Sequence, residues 1–238
     1  MLIDENNQVS VLFNKLSQHY GNQHWWPATT AFEMAVGAIL TQSTNWNNAS
    51  QALANLSRIN MLSPSVIHYM PHDQLSEIIR PSGYHNIKAS RLKTFASHIY
   101  SSYGNDFEAY LNQPIDLLRE DLLSIKGIGK ETADAIILYA GEQAIFIIDE
   151  YTKRLFSRFG EGPSNNLYDD WQNFFHFSIP SATSVYGEYH SIIIAHGKAV
   201  CKKIPKCHIC FLVAECKTGK ETLTKSSTHS MPLAKASK

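Results

Sequence analysis

Cysteine is absent from the first 200 positions of this 238-residue chain, and all four cysteines fall between 201 and 216. A fold stapled throughout by disulfides is therefore excluded. Long apolar runs are missing too. No stretch approaches the roughly 18 apolar residues of a membrane-spanning helix, so none is expected. The opening segment MLIDENNQVS is acidic and polar. It lacks the basic and apolar regions of a secretory signal, and a soluble cytoplasmic protein is the expectation. Strand-type patterning is scarce: only Ile145 to Ile148 reads as a strand, too short to found a sheet. An excess of one charge is also lacking, with 21 Lys+Arg against 21 Asp+Glu. Taken alone, that balance argues against a polyanionic partner.

The distribution of charge says otherwise. From Lys198 to Lys238 nine lysines face two glutamates, so the C-terminal segment is strongly basic and the remainder acidic. A basic segment is the footprint of a phosphate backbone. For Thr222 to Lys238 the composition reads as a solvated tail. Apolar residues recur at helical spacing at Phe32, Val36, Ile39 and Leu40, at Leu92, Phe95, Ile99 and Tyr103, and at Ala133, Ile136, Ile137 and Ala140. Pro27, Pro81, Gly83, Gly104, Pro114, Gly127 to Gly129 and Gly160 to Pro163 punctuate these patterns. About ten helices joined by short loops are expected.

Between two helical patterns lies Ile125-Lys126-Gly127-Ile128-Gly129-Lys130. Glycines two apart permit positive φ and leave backbone N–H groups bare. The next helix starts there, so its free N–H groups and dipole make an anion site. Ile128 can plug between the flanking helices. A Walker phosphate loop is excluded, because Gly129-Lys130 is followed by Glu131 rather than Ser or Thr. A plain helix–helix turn remains open. Asp149, eighteen residues after Glu131, can cap the helix starting at Glu150. One of its oxygens could cap while the other faces a substrate.

The cysteines, C-x5-C-x2-C-x5-C at Cys201, Cys207, Cys210 and Cys216, are too clustered for disulfides in a reducing compartment. Both Zn²⁺ and a [4Fe–4S] cluster suit four thiolates. The eleven histidines show no zincin spacing. His190, His196 and His208 read as packing or capping residues.

Leu122 to Ala135, followed by Asp149, resembles the helix-hairpin-helix DNA glycosylases of the endonuclease III superfamily. The resemblance runs from about Trp25 to Cys216 and takes in Phe32 to Thr44 and Pro81 to Phe95. It implies that Gly127, Ile128, Gly129 and Lys130 grip one DNA phosphate, with a monovalent cation at the hairpin. Asp149 would be the catalytic aspartate facing the sugar of an extruded nucleotide. Bifunctional members carry a lysine where Glu131 stands. Glutamate forms no Schiff base, so base removal by water without efficient strand nicking is expected.

Trp-Trp-Pro, Ala38-Ile39-Leu40-Thr41-Gln42 and Gly129-Lys130-Glu131 look like the 3-methyladenine DNA glycosylase III branch. By that resemblance Trp25 and Trp46 sandwich the base, Trp26 packs, Glu131 lines the pocket, and Gln42 fills the gap left by the flipped nucleotide. Core packing for the tryptophans, a helix-end amide for Gln42 and a first-turn acid for Glu131 are the alternatives. The cysteine run resembles the family's iron–sulfur loop after His196-Gly197-Lys198, with the first gap one residue short. A structural [4Fe–4S] cluster is preferred over zinc, and Lys202, Lys203 and Lys206 would meet phosphate.

An all-α protein with two helical domains flanking a DNA-binding cleft is therefore expected. A helical barrel over 31–143 would carry the hairpin, 1–30 with 144–220 the cluster loop, and 221–238 would be a disordered tail. The expected partner of this monomeric, nucleoid-associated enzyme is duplex DNA with a damaged base. A glycosylase for a mismatched or oxidised base, or an inactive DNA-binding relative, is the alternative.

Overall fold

The computed structural model describes residues 7–23, 28–58 and 62–229. Among them are thirteen α-helices: α1 (Gln8–Tyr20), α2 (Ala31–Leu40), α3 (Trp46–Ser57), α4 (Pro64–Tyr69), α5 (His72–Ile78), α6 (His85–Tyr103), α7 (Phe107–Leu111), α8 (Ile115–Ser124), α9 (Lys130–Tyr139), α10 (Glu150–Phe159), α11 (Tyr168–Ser178), α12 (Thr183–Ala199) and α13 (Lys217–His229). No strand occurs among the described residues, and the architecture is all-α. Helices α4, α5 and α7 are five to seven residues long. They span too few turns for an apolar period to register. Ile145 to Ile148 is buried but carries no regular structure.

The chain forms two compact units. The larger comprises 24–147 and 181–187. Its centre is α2, in which all residues from Phe32 to Leu40 except Glu33 are buried. Thr30 starts that helix by accepting from Glu33 N, while the Glu33 carboxylate accepts from Thr29 N at 2.8 Å. This reciprocal arrangement satisfies amides that the first turn leaves open. Phe32 packs edge-on to Phe107 and stacks with Phe95 of α6. Lys88 of α6 is buried and donates to the carbonyls of Leu40 and Ser82 at 2.8 and 2.7 Å. It closes the C-terminal end of α2, where the helix carbonyls need a donor. Burial, with the charge of Arg91, lowers its pKa to about 8. Thr41 and Gln42 leave the helix from this fixed point.

The other unit comprises 1–23, 148–180 and 188–238. Leu12, Leu16, Leu155, Phe156, Trp171, Phe175 and Tyr189 form its interior. Phe156, Phe175 and Tyr189 meet edge to face, an arrangement their ring quadrupoles favour. The buried Tyr189 hydroxyl donates to Val9 O at 2.7 Å, and Asn7 donates to Ser178 O at 2.8 Å. Both bonds hold α1 to the C-terminal half of the chain. The segment 221–229, expected as disordered tail, continues α13. That helix packs on α10, and Lys217 in its first turn lies against Gly160. No helix among the described residues is long and apolar enough to cross a membrane.

Candidate active site and cysteine-lined cavity

Helices α8 and α9 form the hairpin that the glycine spacing predicts. Its turn needs one of the two glycines for conformational reasons. Gly127 has φ +99°, and a Cβ there would fall 2.5 Å from Arg91 Cγ. Gly129 has φ −98° and ψ 174°, an extended conformation open to any residue. A Cβ on Gly129 would meet nothing within 4 Å. Of the two glycines that permit positive φ, only Gly127 uses it. Nothing inside the chain requires glycine at 129; bareness toward the outside is what the residue supplies. Gly129 is the N-cap of α9 and contributes no capping side chain. Ile128 is 5% exposed and plugs the turn. Arg119 of α8 braces the fully buried Asp134 of α9 with two bonds of 2.7 and 3.2 Å. Lys130 is half-buried and Glu131 is exposed in the first turn of α9.

Gln42 is committed to this hairpin. Its Nε2 donates to Gly127 O at 3.1 Å and to Thr132 Oγ1 at 2.9 Å, and its Oε1 accepts from Arg91 Nη1. Filling a gap in DNA would require the amide to leave these partners. Arg91 and Thr132 were not legible as site residues, because neither belongs to a local motif. Trp46 is half-buried at the first position of α3. Trp25 and Trp26 lie outside the described residues.

Asp149 caps α10: its Oδ1 accepts from Thr152 N at 2.7 Å. The residue is 7% exposed. Its Oδ2 lies 3.6 Å from Nε2 of His190 on α12, which is equally buried. Burial alone would raise the Asp149 carboxyl. The imidazole of His190 beside it, with the N–H of Thr152, outweighs burial and holds the pKa below the usual carboxylate range. The group is therefore anionic at neutral pH. His190 is a residue that the sequence assigned to packing or capping. No local signal could have found it, since 41 positions separate it from Asp149.

Directly after Asp149, Glu150, Tyr151 and Arg154 line an open groove of about 720 Å³ with Lys198, Lys202 and Lys203. Arg154 lies over the Tyr151 ring at 4.8 Å. Tyr151 lies against Gly197, where a Cβ would come within 2.3 Å of the ring. The groove carries four cationic side chains against one carboxylate. Such a surface attracts phosphate.

The four cysteines line a small second cavity together with Leu155, Arg158 and His196. Burial pushes the Cys210 and Cys216 thiols up, and charge on the neighbouring thiols adds to the shift. Arg158 donates to Cys201 Sγ at 3.3 Å and to the carbonyls of Lys202 and Lys203. His196 Nε2 is 3.8 Å from Cys210 Sγ, and its Nδ1 is 3.0 Å from the Tyr20 hydroxyl. Among the described residues no three His, Cys, Asp or Glu groups converge on a point that would hold a metal ion. A single tetrahedral zinc draws its thiolates to within about 3.8 Å of one another, given Zn–S bonds of about 2.3 Å. Four thiols lining one cavity are a donor set suited to thiolate-held groups.

Comparison with known proteins agrees with this geometry. Residues 36–176 match the model of the HhH-GPD superfamily base excision DNA repair proteins. A protein of Methanocaldococcus jannaschii named as a DNA repair glycosylase is 43% identical over 200 residues, covering 84% of this chain and 91% of the relative. Endonuclease III of Sulfolobus acidocaldarius is 29% identical, covering 78% and 81%. The crystal structure of H. pylori 3-methyladenine DNA glycosylase (MagIII) bound to 1,N6-ethenoadenine matches with a TM-score of 0.69 and 28% identity, covering 79% of this chain and 96% of that one. An endonuclease III–DNA complex shares the fold, with a TM-score of 0.78 at 19% identity over 91% and 97% of the two chains. The chain belongs to the HhH-GPD superfamily of base excision DNA repair proteins.

Proposed function

We propose that this chain is a monofunctional DNA glycosylase. It acts as a monomer on duplex DNA and hydrolyses the N-glycosidic bond of a flipped-out alkylated purine, 3-methyladenine foremost. The observation that carries the reading is the buried, anionic Asp149. Cleaving the bond develops positive charge on the sugar, and a fixed carboxylate lowers the energy of that state and orients water. N-alkylated purines are cationic and already have weakened glycosidic bonds. Stacking and one carboxylate therefore suffice, without strong acid catalysis. Trp46, with Trp25, supplies the aromatic faces, and Trp26 packs beside them. The likeness to the H. pylori enzyme bound to an adenine adduct supports this substrate class.

Glu131 stands where an amine would be needed for Schiff-base chemistry, so the product is an intact strand with an abasic site. The hairpin amides and the basic groove hold the DNA backbone, and a monovalent cation at the hairpin belongs to the same reading. Cys201, Cys207, Cys210 and Cys216 would hold a [4Fe–4S] cluster. When bound, it serves as a structural staple that fixes the loop bearing Lys202, Lys203 and Lys206.

A second reading, a glycosylase for a mismatched or oxidised base, is favoured by the 29% identity to an endonuclease III. Duplexes carrying one lesion each separate the two readings. Release of free 3-methyladenine is expected, with strand breakage only after alkali. Excision confined to oxidised pyrimidines or mismatched thymine would establish the second reading, and nicking without alkali would overturn the hydrolytic mechanism.

A further inference from the structure

We infer that His190 is the positioning residue of the Asp149 carboxylate, fixing Oδ2 while Thr152 N fixes Oδ1. The inference rests on the proposed catalytic use of Asp149 and deepens it.

The terminal torsion of an aspartate is broad, so one hydrogen bond leaves the second oxygen free to swing. Thr152 N holds Oδ1 at 2.7 Å. His190 Nε2 stands 3.6 Å from Oδ2, on a different helix, and each residue is less than a tenth exposed. A buried carboxylate oxygen without a nearby donor is costly, and the imidazole of His190 stands just beyond hydrogen-bond length, where a small closing movement brings its N–H onto Oδ2. The groups facing Asp149 come from two helices. On α10 it is Thr152, and on α12 they are His190 and Lys198, which is exposed and feels the Asp149 charge. Thr152 and His190 hold the carboxylate, with Lys198 farther out on the side of the basic groove. Tyr168 accepts from Ile148 N, one residue earlier, and steadies the approach to the cap. His190 touches no reacting atom in this account. It acts through Asp149, keeping its second oxygen oriented and its charge intact.

Single-turnover release of methylated base from alkylated duplex DNA, followed against pH, tests this. His190→Phe removes the imidazole and its donor. Its plateau rate is expected to fall about tenfold or more. The acid limb should move up by about one pH unit or more, because an opposing partner no longer depresses the carboxyl. Affinity for DNA should not change. His190→Asn restores a donor without charge. It should recover most of the plateau while keeping the raised acid limb. Wild-type rate and acid limb in folded His190→Phe would overturn the inference. Should that variant fail to fold, an unshifted acid limb in His190→Asn would overturn it instead. Asp149→Asn runs beside them. If it is inert while the His190 variants behave as wild type, only the positioning role fails. If it releases base at the wild-type rate, the catalytic reading itself fails.

Discussion

Helices α9 and α10 begin in opposite ways. α9 starts at Gly129, which is exposed and offers its amides no side chain. α10 starts at Asp149, which is buried and fills the helix end with its own carboxylate. Each N-terminus carries the same partial positive charge, equivalent to roughly half an elementary charge. One is left open to an anion from outside the chain. The other has an internal anion, bonded to Thr152 N and faced by His190 at 3.6 Å. The difference teaches how one physical element can serve two tasks: under the proposed function the end without a capping side chain would receive a phosphate, while the capped end presents a fixed negative charge.

Substitutions at these two starts should therefore differ in kind. The largest effect is expected for Asp149→Ala, which removes a cap and a buried anion opposite His190. A loss of about 2 kcal/mol in urea unfolding at neutral pH is expected. The loss should itself depend on pH. The folded pKa of Asp149 is depressed, so its contribution is present above the unfolded carboxylate value of about 3.9 and fades as pH falls through the folded value. The gap between wild type and variant should narrow on acidification. A constant gap would break the claim that the carboxylate is ionised.

Gly127→Ala comes next. Positive φ and the contact with Arg91 should cost about 1–2 kcal/mol, with weaker DNA binding as a consequence of the displaced turn. Gly129→Ala sharpens the comparison from the other side. With extended backbone and open space, its unfolding free energy should change by less than about 0.5 kcal/mol. Its affinity for duplex DNA should fall all the same, as seen in a fluorescence titration. Loss of stability without loss of affinity would show that Gly129 serves the fold and not the DNA.

The hairpin was legible because its signal is local. Gly-x-Gly between two apolar helical patterns leaves few alternatives to a tight turn, and Asp149 sits at a readable distance from it. What each glycine does was not legible, since glycine in a sequence records permission for positive φ and not its use. His190 was hidden for another reason. Its partner lies 41 positions away, and only the folding of α12 beside α10 brings the two together. Gln42 was read as a residue for DNA, yet its amide is spent on Gly127, Thr132 and Arg91. Such use depends on tertiary neighbours that no spacing encodes. The tail misled through composition. Its Ser, Thr and Lys content suggests disorder, while helix α13 runs on through 221–229.

The most direct test of the account is single-turnover release of 3-methyladenine from duplex DNA by wild type and Asp149→Asn. Asparagine keeps the cap and nearly the same shape but carries no charge, so folding is preserved. The account predicts that the variant binds the duplex as wild type does and releases base at least about a hundredfold more slowly. Equal rates would contradict it.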